Sequence, residues 1–364
     1  MNDIHAKVVA RALRGQGHEA VLWYGSDLPS RQTISLDLDR EREPEFGLSG
    51  PESSIQGPFD VVWLRRPIDP VLPDYVHSGD RTFAEREWSR MLRGVWRTIG
   101  RNALWVNPWE SASRASSKAR QLVEAAEVGM SVPRTLLSND PDRIRAFIRA
   151  NPGETIYKPF CTTQWKLEDG AAYLFTAVVR EDDLPEDEML RVCPGIFQPR
   201  VSKSHELRVT VMGRRVFAVE LGSQQLEVAR VDWRAGTRGI EMRPVRLPPA
   251  IEAQCLALMD RLGLVFGCLD FIVTPESEYV FLEVNQMGQF LWLEELLPQV
   301  QLLDAFCAML GQGRPDFEWS PQRAVLRFSE LHDPEREAAI DAGHVAHPVH
   351  HLLDDGDKKD EAAA

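Results

Sequence analysis

Two periods of apolar positions organise this chain. A spacing near 3.6 predicts helices over residues 5–14, with Val8, Val9, Ala12 and Leu13 on one side, and over 79–99, with Ala84, Trp88, Met91, Leu92, Val95, Trp96 and Ile99 inward. Alternation or short apolar runs predict strands over 20–24, 33–39, 59–64 and 103–106, with a Pro-, Gly- and charge-rich loop over 41–56. These make a small α/β unit over residues 1–112, which starts on a helix with no strand before it.

The pattern continues as α+β. Ser116 and Ser117 cap a predicted helix over 118–128, which Gly129 stops, and a second helix ends at Ala150 with Ile144, Phe147 and Ile148 inward. Strands follow over 155–160 and 173–180, and then 195–201, which Pro199 breaks. Residues 206–212 and 216–221 read as a hairpin around Gly213, and 249–262 as an amphipathic helix. Strands over 264–273 and 279–284 flank the turn 275–278, and a helix over 291–310 breaks at Pro298. The expected divisions are a central lobe over 113–194, a C-terminal lobe over 195–330, and a disordered tail over 331–364.

The last hairpin carries the chemistry. If Thr274 pairs with Tyr279, Asp270 falls opposite Glu283, and Asn285, Phe281 and Tyr279 share the face of Glu283. Two carboxylates ~4 Å apart repel by roughly 4 kcal/mol at an effective dielectric near 20, so a proton, a basic side chain or a cation must offset them. Hard oxygen donors on rigid strands suit Mg²⁺; acids on a solvated outer face are the plain alternative. Three cations could face phosphate. Lys118 opens a helix, where the dipole favours an anion. Lys158 sits between Tyr157 and Pro159 in an apolar strand, where a charge needs a partner. Arg208 shares a strand face with Glu206.

Composition narrows the field. The net charge of −13 argues against general nucleic-acid binding and against an anionic membrane surface. Five cysteines with no CxxC pair fit a reducing cytoplasm without disulfides or zinc, and neither a signal peptide nor a membrane span is visible. His344, His347, His350 and His351 cluster near the end, where a solvated tail is the plainer reading than a metal site; the abundant tryptophans read as core.

Taken in order, Lys118, Lys158, GIFQPRV, ELRVTVMG, DFIV and FLEVNQMG resemble the ATP-grasp superfamily over roughly residues 100–310. The resemblance implies two α+β lobes clamping ATP behind a small α/β N-terminal domain. It places phosphate contacts at Lys118 and Lys158, the adenine-reading strand at Phe197, Gln198, Pro199, Arg200 and Val201, and two Mg²⁺ ions at Asp270, Glu283 and Asn285. Glu206 and Arg208 match the acidic-x-Arg motif, and Arg234 is a further candidate for stabilising the transferring phosphoryl group. IYKPFCTTQWKLEDGAAYLFTAVV, FAVELGSQ and VDWR resemble the microviridin-type (graspetide) maturation ligases more narrowly, although that family's usual first strand is missing. That implies a cytoplasmic homodimer acting on a precursor peptide with leader and core. Its ligases phosphorylate an Asp or Glu side chain, which a Ser, Thr or Lys side chain then attacks to close an ester or amide ring. A ligase adding free amino acids to an acceptor, and a non-catalytic nucleotide-binding module, are the alternatives.

Overall fold

A computed structural model describes residues 3–50, 54–151, 153–160, 164–167, 170–173 and 176–346. Its largest sheet is antiparallel, in the order Met242–Val245, Arg215–Leu221, His205–Met212, Phe266–Val273, Tyr279–Asn285. Alternation along the central strands assigns the faces. Leu207, Val209 and Val211 lie with Leu269, Phe271 and Val273 in a core closed by Cys255, Leu258 and Leu262 of the Pro249–Leu262 helix. The other face is divided. At one end Met212, Phe266 and Cys268 pack on Phe290, Leu302 and Phe306. At the other end the same rows carry Glu206, Arg208 and Asp270, which line a pocket or pair beside it. Full burial of each phenylalanine contributes about 2–3 kcal/mol, so the apolar end holds the charged end rigid.

The central lobe is a four-stranded antiparallel sheet, in the order Ala177–Val179, Thr155–Lys158, Gly195–Pro199, Leu136–Ser138. Asp140 caps the helix Pro141–Arg149, which lays Ile144 and Phe147 on Phe197 and Leu190. Because Gly195–Pro199 pairs here, the expected lobe boundary at 194/195 moves: the chain crosses to the larger sheet only after Pro199.

In the N-terminal region Val61–Trp63 pairs in parallel with Leu104–Val106. Residues 20–24, expected as a strand, join no ladder among the described residues; Trp23 instead packs on Phe46 and Trp96 at 5.9 and 6.5 Å. Conversely, the expected loop 41–56 holds two strands, Glu45–Ser49 and Ser54–Gln56, which bury Phe46, Leu48 and Ile55.

The expected tail, 331–364, is corrected over residues 331–346; residues 347–364 lie outside the described residues. Pro334–Ala342 is a helix, capped by Asp333 and tied to the first helix, Ile4–Gly15, by Lys7, which donates to Glu337 O at 3.1 Å and pairs with Asp341. His344 stacks on Tyr24 at 3.7 Å and bonds Asp27 at 2.6 Å, so it belongs to this contact and not to a solvated cluster. His347, His350 and His351 lie outside the described residues.

Two buried polar side chains hold the N-terminal region against the larger lobe. Asn107 donates to Phe266 O and Gln286 O, both at 2.8 Å, and accepts from Val265 N and Phe266 N at 2.7 and 2.8 Å. His5 Nε2 accepts from Phe290 N and Leu291 N at 3.0 and 3.1 Å, which requires a neutral ring. Burial and Arg65 hold His5 down from 6.5 to about 4, against the pull of Asp3. Below 6.5 the unfolded chain takes up this proton while the folded chain does not. The His5 contribution is therefore complete above pH 6.5 and lost as pH falls towards 4, by up to about 3 kcal/mol. Urea unfolding at pH 7 and pH 4.5 is expected to show this loss in the wild type and a smaller one in His5→Gln; equal losses would refute it.

Candidate active site

The acids arrive on one wall through a fault in the hairpin. From the turn, Val273 pairs with Tyr279, Ile272 with Val280 and Phe271 with Phe281. A bulge at Leu282 then shifts the register, so that Asp270 pairs with Glu283, Leu269 with Val284 and Cys268 with Asn285. The expected opposition of Asp270 and Glu283 is present, but the expected pairing of Thr274 with Tyr279 is one residue off. The bulge also overturns the expected face. Phe281 and Tyr279 point into the core with Phe271, and Leu282 and Glu283 line the pocket.

That pocket lies between the lobes. Ile156, Lys158, Thr176, Gln198 and Pro199 line it from the central lobe; Glu206, Asp232, Arg234, Asp270 and Glu283 line it from the larger one; and Lys118 enters from its own helix. Arg208 Nη1 bonds both oxygens of Asp270 at 2.9 Å, and Nη2 reaches Gln289 O at 3.2 Å. Lys118 Nζ meets Glu283 Oε2 at 2.7 Å. The carboxylate repulsion is thus offset by one dedicated cation for each acid. Burial pushes both carboxyls up, Arg208 opposing it at Asp270, where the carboxyl stays high. At Glu283 the attraction of Lys118, Arg234 and Lys158 more than reverses burial and brings it to about 2. Lys158, half-buried, has no hydrogen-bond or ion-pair partner among the described residues, and burial lowers its pKa against the pull of Glu283.

Not every expected residue converges. Gln198, Pro199 and Val201 line the pocket, with Gln198 fixed by Thr135 at 2.9 Å. Phe197 instead faces the central core against Tyr157, and Arg200 pairs outward with Glu154. Asn285 is exposed and is not among the lining residues; its Oδ1 accepts from Met287 N at 3.1 Å. The expected oxygen set is therefore two carboxylates, with the amide turned to its own loop. Glu206 accepts from Ser223 Oγ at 2.8 Å and pairs with Lys203, which the sequence pattern did not single out. Lys203 lies in the aperiodic run before its strand, and only its spacing of three from Glu206 hints at the pair. Among the described residues no three His, Cys, Asp or Glu side chains group to hold a metal, and no helix is long and apolar enough to cross a membrane. Two hard carboxylates beside Lys118, Lys158 and Arg234 in one pocket fit Mg²⁺ that completes its shell with water and nucleotide.

No family model matches the chain, and no curated protein does. Solved structures do. The macrocyclase MdnB from Microcystis aeruginosa MRC is 30% identical, with 85% of this chain and 95% of that chain covered at a TM-score of 0.70. This chain belongs to the graspetide ATP-grasp ligases. It also resembles a Chryseobacterium gregarium RiPP-associated ATP-grasp ligase in complex with ADP and a leader and core peptide, at 28% identity, 89% and 96% coverage and a TM-score of 0.78. The macrocyclase MdnC of Microcystis aeruginosa MRC, bound with precursor peptide MdnA, follows at 27% identity, 86% and 96% coverage and a TM-score of 0.74. The fold is thus the ATP-grasp fold, and the chain is an ATP-grasp carboxylate ligase.

The buried Lys203–Glu206 pair is open to test. Burial pushes Glu206 up and Lys203 acts against it. Lys203→Met leaves an uncompensated buried charge, costing about 3 kcal/mol at pH 7. A carboxyl raised in the folded state takes up its proton there first, so the loss is expected to shrink as pH falls to 5. Unfolding at the two pH values checks it; an equal loss at both would show that Glu206 is not the source.

Proposed function

We propose that this ligase closes side-chain ester or amide rings in a ribosomally made precursor peptide with leader and core, using ATP and two Mg²⁺ ions, as a homodimer in the cytoplasm. The observation that carries the reading is the charge arrangement: Lys158, without an ion-pair partner among the described residues, faces a carboxylate pair whose own cations are already in place. The support from relatives lies in the ADP, leader and core peptide of the Chryseobacterium gregarium ligase and in the precursor peptide of MdnC.

Each residue has a task. Gln198, Pro199 and Val201 take the adenine end of the pocket. Lys158 holds phosphate oxygens, and Lys118 joins it from the start of its helix. Asp270 and Glu283 would hold Mg²⁺, with Asn285 two residues further along the same strand. Bound there, Mg²⁺ screens the phosphate charge and aligns the terminal phosphoryl group. A peptide carboxylate oxygen attacks that phosphorus and ADP leaves, giving an acyl phosphate. A Ser or Thr hydroxyl, or a Lys amine, then attacks the acyl carbon, loses its proton and expels phosphate. Arg208, fixed on Asp270, and Arg234 stabilise the phosphoryl charge in both steps. Glu206 stands beside Arg208 on the strand as the buried acid of the motif.

The test is mass spectrometry of a small peptide rich in Thr, Ser, Lys, Asp and Glu after incubation with the protein, Mg²⁺ and ATP. One water is expected to be lost per ring, and chelating Mg²⁺ is expected to abolish this. Glu283→Gln and Lys158→Met are each expected to cut turnover by at least about 10²-fold with the fold retained. Wild-type turnover in Glu283→Gln would remove the metal assignment. A gain of one amino-acid unit would instead favour a ligase that adds free amino acids.

A further inference from the structure

The loop 231–234 reaches the pocket from the larger lobe with Val231, Asp232, Trp233 and Arg234 all in the lining. Asp232 is 7% exposed and caps the 3-10 segment Trp233–Gly239 by accepting from Arg234 N at 3.1 Å. The same carboxylate grips the arginine side chain at two points, Nε and Nη2, both at 2.8 Å. A guanidinium held by parallel bonds loses its freedom to swing, so its direction is set before any ligand arrives. On its far side the loop is pinned by Trp233, stacked on Trp292 at 5.0 Å, and Trp292 bonds Gln289 O, the carbonyl that Arg208 also contacts. The Arg234 side chain keeps 46% of its surface exposed, and its charge reaches both Glu283 and Asp270.

We propose that Asp232 is a positioning residue: its carboxylate fixes the Arg234 guanidinium towards the acid pair. Arg234 then meets the terminal phosphoryl group of the nucleotide already oriented, instead of being collected from solution at each turnover. This rests on the ATP reading above.

Calorimetry of the full chain with Mg-ADP and with Mg-AMPPNP tests it without a peptide. The wild type is expected to hold AMPPNP more tightly than ADP. Asp232→Asn is expected to lose about tenfold of that discrimination while ADP affinity stays within about twofold, and Asp232→Glu to recover part of it. Arg234→Lys is expected to lose a similar amount, and the double variant no more than either single one, because the aspartate acts through the arginine. Discrimination unchanged in Asp232→Asn, losses that multiply in the double variant, equal weakening of both nucleotides, or a wild type that holds the two equally would each overturn it. A wild type that binds neither nucleotide would overturn the ATP reading itself.

Discussion

Two carboxylates on adjacent strands, facing the same partly enclosed pocket, set the terms for everything around them. Asp270 and Glu283 cannot both be ionised there without nearby positive charge. Arg208 answers the first from the neighbouring strand and Lys118 answers the second from a helix. The two answers differ in kind. Arg208 is buried and held at three acceptor atoms, so it is a permanent part of the wall. Lys118 is about a third exposed and held by one bond, so its charge can be displaced at little cost. The resting site is balanced, and balanced by a cation it can give up.

The rest of the molecule keeps that wall still. The strand that carries Asp270 also carries Phe266 and Cys268 on the same face, deep in the aromatic core, and the strand that carries Arg208 ends in Met212 there. One face therefore serves as core at one end and as chemistry at the other. Asn107 and His5 then fasten the N-terminal region to the backbone on either side of the acidic strand pair, at Phe266, Gln286 and Phe290.

Most of this was legible in the sequence where a period of two or 3.6 ran unbroken. The opposition of Asp270 and Glu283 was read from strand pairing, and holds although the turn register was one residue off, because the bulge restores it; the approach of Lys118 and Lys158 was implied by the resemblance to the ATP-grasp ligases. What could not be read was organised otherwise. The helix Pro334–Ala342 buries one residue, Glu337, and is held by Lys7 rather than by an apolar stripe, so it has no period to find. Strands Glu45–Ser49 and Ser54–Gln56 are too short to outweigh the Pro, Gly and charge around them. Asn285 was placed with Glu283 by alternation alone, which says nothing of a side chain turning back to bond its own loop at Met287.

The bulge at Leu282 has a further meaning. It is a phase shifter between two patterns that a regular strand could not satisfy together: rings inward at Tyr279 and Phe281, and a carboxylate into the pocket at Glu283. The turn before it can lengthen or shorten without moving the acid, because the pairing of Asp270 with Glu283 is counted from the far side of the bulge. The step from Phe281 to Glu283 has no such freedom. A chain shortened there by one residue would have to turn either a phenylalanine towards the pocket or a carboxylate into the core, so the whole tolerance of this hairpin to changes in length lies on one side of a single leucine.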